Sequence, residues 1–88
     1  MTDTETMIEE IHTACDAFGK APSVTRLQYA WDVCHRVGNI GKATRNHRLM
    51  DCAGGSVAWL ASDPTVGRKY IFNDISGRYI LSVPWHMT

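Results

Sequence analysis

The chain has 88 residues, 44% apolar and 20% charged, with three Trp, three Tyr and two Phe; this is the make-up of one folded domain, residues 1–88, and it excludes a disordered polypeptide. The longest apolar run, Val57 to Ala61, is far below the roughly 18 residues of a membrane span, and the acidic N-terminus is unlike an export signal. Net charge is zero, yet residues 1–16 hold five acids without a Lys or Arg while residues 17–48 hold six cations against Asp32 alone, so the two segments either face each other or face different partners.

Thr6 and Glu9 read as a capping box, and Ile8, Ile11, Cys15 and Phe18 follow at helical spacing up to Gly19, which predicts an amphipathic first helix. Ser23 is the expected N-cap of a second, antiparallel helix, whose stripe Val24, Leu27, Trp31, Cys34 and Val37 stops at Gly38. Gly41 breaks the next interval, leaving room for a short third helix over Lys42 to Met50.

Gly54 and Gly55 mark an expected change of period. Ser56 to Ser62 then reads as a strand, with Val57, Trp59 and Ala61 on one face. Asp63 to Gly67 is punctuation, after which Arg68 to Asn73 and Arg78 to Val83 read as an antiparallel hairpin turning at Asp74 to Gly77. Pro84 stops the last strand. The expected class is therefore α+β, with two or three N-terminal helices packed on a small C-terminal antiparallel sheet, a two- or three-stranded meander.

The segment Gly38 to Arg48 places Gly41 and Lys42 together, but a phosphate loop needs glycine where Arg36 stands and Ser or Thr where Ala43 stands. It also needs a strand before it, and a helix is expected there. Glu9 with His12, and Asp32 with His35, have a carboxylate-to-histidine spacing that furnishes metal ligands in bundles; at about 100° per residue, however, each carboxylate lies roughly 140° from its own apolar stripe and faces solvent.

Cys34 and His35 are consecutive and project about 100° apart, too far for thiol and base. Cys15 and Cys34 fall on apolar stripes, as core cysteines do. A zinc site joining Cys52, His47 and either Cys34 or His35 matches no regular spacing. Three cysteines at wide intervals argue against a disulfide framework and suit a reducing cytoplasm. Neither a cofactor nor a metal is expected, and no catalytic group stands out.

Two surfaces remain as candidates for partner binding. One is the basic segment, Arg36, Lys42, Arg45, His47 and Arg48, suited to phosphates or acidic protein surfaces. The other is the hairpin, with Arg68, Tyr70 and Arg78 as anchors and Trp59 among further aromatic residues of the kind that dominate interfaces. The expected function is non-enzymatic: docking onto another protein or nucleoprotein complex as inhibitor, adaptor or regulator. By analogy of size and missing motifs alone, compact chains of this kind are common among phage and mobile-element proteins, anti-CRISPR inhibitors included. The alternative is a winged-helix-like nucleic-acid binder, with Lys42 to Met50 as recognition helix and Asp74 to Gly77 as wing. An exposed hairpin edge leaves a homodimer open.

Overall fold

The computed structural model describes residues 3–67 and the backbone of residues 71–73 and 79–81. Three helices dominate it: α1, Thr4–Lys20; α2, Val24–Thr44; and α3, His47–Ser62. No helix among the described residues is long and apolar enough to cross a membrane.

Each helix starts on a side chain that accepts an otherwise orphaned backbone N–H. Asp3 caps α1, accepting from the Thr6 amide at 2.9 Å, so the helix begins before the expected Thr6 cap. Ser23 caps α2, accepting from the Arg26 amide at 3.1 Å. Asn46 caps α3, accepting from the Leu49 amide at 3.3 Å, and its side-chain amide also donates to the Thr4 hydroxyl at 2.8 Å. That last bond ties the α2–α3 turn to the start of α1.

The helices bury one contiguous core: Met7, Ile11, Ala14 and Phe18 from α1; Leu27, Ala30, Val33, Cys34 and Val37 from α2; Leu49, Ala53, Val57 and Leu60 from α3. Contacts between helix ends give their directions. Thr4 meets Asn46 and Glu10 meets Arg36, so α1 and α2 run in opposite senses. Glu5 meets Arg48 and the Trp59 ring lies beside Gly19, so α3 runs alongside α1 in the same sense. The result is an up-down-up helical bundle.

The α+β expectation is thus overturned, and the decisive segment is residues 47–62. Gly54 and Gly55 do not change the period; they lie within α3 with nothing within 4 Å of where a side chain would begin. Leu49, Ala53, Val57 and Leu60 bury at helical spacing, and this outweighs the local alternation of Val57, Trp59 and Ala61. Burial of one helical stripe against two neighbours decides between two readings that a short segment leaves open. Beyond the bundle, Ile71–Asn73 (β1) and Tyr79–Leu81 (β2) pair antiparallel, with Phe72 opposite Ile80. Among the described residues the sheet is this one pair of short strands, and the three helices bury their stripes against one another.

The other boundary that moved is the end of α2. It passes through Gly38 and Gly41 to Thr44 and stops at Arg45, which takes the left-handed conformation at φ 55°. The Asn46 amide donates to the Gly41 carbonyl at 2.8 Å and the Arg45 amide to that of Lys42 at 3.3 Å, the bond pair of a Schellman stop. Gly41 serves a different purpose. A Cβ there would stand 2.9 Å from Leu49 Cβ and 3.0 Å from the Met50 amide nitrogen, so its bare Cα lets α2 and α3 approach closely.

After α3, Asp63 closes the helix and organises the turn behind it. Its Oδ2 accepts from the amides of Thr65, Val66 and Gly67 at 3.2, 2.7 and 3.1 Å and from the Thr65 hydroxyl at 3.0 Å. Gly67 folds back so tightly that an added Cβ would fall inside the Leu60 carbonyl.

Candidate functional site

An open groove with a volume of about 520 Å³ lies between α1 and α3. From α1 come His12, Cys15 and Asp16; from α3 come Asp51, Cys52, Gly55, Ser56 and Trp59. Spacings of three and four on each helix put these residues on a single face. Parallel packing of α1 and α3 then sets the two faces side by side.

Trp59 forms one end of the groove. Half of its surface is exposed, yet its ring is fixed by an edge-on contact with the buried Phe18, centroids 6.2 Å apart and planes at 82°. The ring also lies beside Gly19, where a Cβ would meet it at 3.4 Å, an ordinary packing distance. An exposed tryptophan braced in this way has less freedom to lose on binding a partner.

The groove floor is made of sulfur and hydroxyl groups. Cys15 and Cys52 are half-buried and Cys34 is buried, and the two half-buried thiols pack on the core at the three-helix junction. Hydrogen bonding with Cys34 foremost, and with Ser56, lowers the Cys15 thiol below its ordinary value, against burial and the Asp16 carboxylate. Cys34 shifts in the opposite direction. The hydrogen bond it gives to Cys15, together with burial, pushes its thiol far up. Burial also raises Cys52, opposed by its contact with Ser56.

The structure separates the residues of the basic segment. Arg36 pairs with Glu10 at 2.6 Å and Arg48 with Glu5 at 2.7 Å, so the acidic and basic stretches meet within one molecule. Lys42 and Arg45 lie at the exposed end of α2 and His47 in the first turn of α3, and these three make no ion pair among the described residues. Lys42 to Met50 is not one helix, because the turn at Arg45 and Asn46 divides it. Arg68, Tyr70 and Arg78 lie outside the described residues.

Glu9 and His12 are exposed on α1. On α2, Asp32 accepts from Gln28 at 2.9 Å, while His35 stacks on Trp31 with centroids 4.8 Å apart. Among the described residues no three of His, Cys, Asp and Glu are placed to hold a metal ion. The groove itself was missed at the sequence level. His12 and Cys15 are visibly one turn apart, but the opposite wall comes from residues 51–59, where the sequence predicts a change of period at Gly54 and Gly55 and a strand from Ser56.

Comparison of the chain with protein-family models, curated proteins and solved structures finds no match.

Proposed function

We propose that this chain is a small, non-catalytic binding protein that acts in the cytoplasm by docking onto another protein or nucleoprotein complex, as an inhibitor, adaptor or regulator. The observation that carries the reading is Trp59, half exposed at the end of the α1–α3 groove and held edge-on by Phe18. Rigid, exposed aromatic residues beside a concave surface are what interface hot spots are built from. A reducing compartment suits the three free thiols.

Nucleic-acid binding is the second reading, supported by Lys42, Arg45 and His47 at the α2–α3 turn. It has lost Arg36 and Arg48 to ion pairs with α1, and this favours protein docking. The test immobilises the whole chain and exposes it to extract from its native cells, alongside Trp59→Ala and a Lys42→Ala, Arg45→Ala double variant. Docking through the groove requires a defined protein partner held by the parent and the double variant but lost with Trp59→Ala. Retention of nucleic acid that falls steeply with salt and disappears in the double variant would establish the second reading instead.

A further inference from the structure

We propose that the α1–α3 groove takes a basic, extended segment of a partner protein, with one arginine laid on the Trp59 ring beside Asp16 and a second cation at Asp51. This names the chemistry of the partner in the docking reading and rests on that reading.

Charge along the seam between the two helices selects the occupant. At its start, Glu5 of α1 pairs with Arg48 of α3, so each helix supplies the counter-ion of the other. Farther along, the groove is lined by Asp16 from α1 and Asp51 from α3, and no Lys or Arg lines it. Both aspartates are exposed, and among the described residues neither makes an ion pair. His12 and two thiols, the other titratable groups of the lining, supply no permanent positive charge. Two carboxylates on one concave surface repel an acidic occupant and attract a cationic one.

Trp59 favours arginine over lysine for the first cation. Its six-membered ring turns an edge to α1, with Cη2 and Cζ2 at 3.4 and 3.8 Å from where a Gly19 Cβ would stand, and it meets Phe18 at near right angles. A ring in these contacts that is still half exposed keeps a face open to the groove. A planar guanidinium stacks on such a face while its N–H groups fork to a carboxylate, which an ammonium cannot do.

The second cation follows from distance. Asp16, three residues before Gly19, belongs to the tryptophan end of the groove, whereas Asp51 is eight residues before Trp59, about 12 Å along the helix axis. One guanidinium does not serve both ends. An extended chain rises about 3.3 Å per residue, so cations four positions apart in the partner match the groove.

The test follows nuclear magnetic resonance shifts of the nitrogen-labelled full-length protein on adding the peptide acetyl-Arg-Gly-Ser-Gly-Arg-amide, or the same peptide with citrulline, which keeps the shape of arginine without its charge. The Trp59 indole N–H and the amides around Asp16 and Asp51 should shift, with roughly tenfold tighter binding of the arginine peptide, as charge-assisted contacts allow. A variant carrying Asp16→Asn and Asp51→Asn should lose that preference with its helical circular dichroism intact, and Asp32→Asn, on α2, should keep it. No shift, equal binding of the two peptides, or a preference that survives the double variant overturns the proposal. So does a dimer that the double variant dissolves, which would seat a second copy in the groove, or binding that emerges only after Arg68→Ala and Arg78→Ala, which would seat the chain's own later residues there. If the preference is absent while Trp59→Ala still loses the native protein partner, the basic segment falls and docking stands.

Discussion

Arg45 shows how a single residue sets a boundary at a cost. Its φ of 55° places a side chain in the left-handed region, which costs a non-glycine residue about 1–2 kcal/mol, and glycine recovers part of this because it loses more freedom on folding. Arg45→Gly is therefore expected to stabilise the protein by about 0.5–1 kcal/mol, measured as a higher urea midpoint at unchanged slope. An unchanged or lower midpoint would mean that the guanidinium contributes contacts that offset the strain. Asp63 makes a second prediction at this scale. Hydrogen bonds from the Val66 amide foremost, then from Gly67 and Thr65, hold its carboxyl below the ordinary range. A carboxylate with a lowered folded pKa contributes stability above its unfolded value and loses that contribution as pH falls through the folded one. The stability gap between the parent and Asp63→Ala should accordingly be full at neutral pH and narrow on acidification below the carboxylate range; a gap constant down to pH of about 2 would show that the charge contributes nothing.

At the level of the element, the same residue type plays opposite parts in two helices. Gly41 of α2 lies where a Cβ would meet Leu49 and the Met50 backbone, so Gly41→Ala should destabilise by about 1–3 kcal/mol, as overpacking does. Gly54 of α3 has open space around it, so Gly54→Ala should stabilise by about 0.5–1 kcal/mol through helix propensity. Urea denaturation of both variants tests the pair, and equal effects would mean that the α2–α3 contact is looser than described. This contrast also explains what could be read in advance. The caps and apolar stripes of α1 and α2 were legible because Ser23, Ile11, Phe18, Leu27 and Val37 act through local chemistry and helical spacing. Gly38, Gly41 and Gly54 were misread as breaks because glycine has two uses, and only the neighbouring helix shows which one applies. The groove was illegible for the same reason: half of it belongs to α3, whose helical stripe Gly54 and Gly55 concealed.

For the whole molecule, the acidic and basic segments meet in part inside the fold, as Glu10 with Arg36 and Glu5 with Arg48. Both pairs are more than one-third exposed, and exposed pairs are worth roughly 0–1 kcal/mol each, so they orient α1 more than they hold it. Stability lies with the apolar residues where the helices meet. Every buried apolar side chain described, from Met7 to Leu60, belongs to α1, α2 or α3; the Asp63 turn and the tight return at Gly67 close that unit. A chain ending after Gly67 is expected to keep its helical circular dichroism and a cooperative thermal transition. Broad, non-cooperative melting of this shortened chain, or a collapse of its helical signal, would show that the bundle depends on contacts supplied by residues 68–88. If it melts sharply, the three helices are the folding unit, and the groove can be tested in the shorter chain free of the segment that follows.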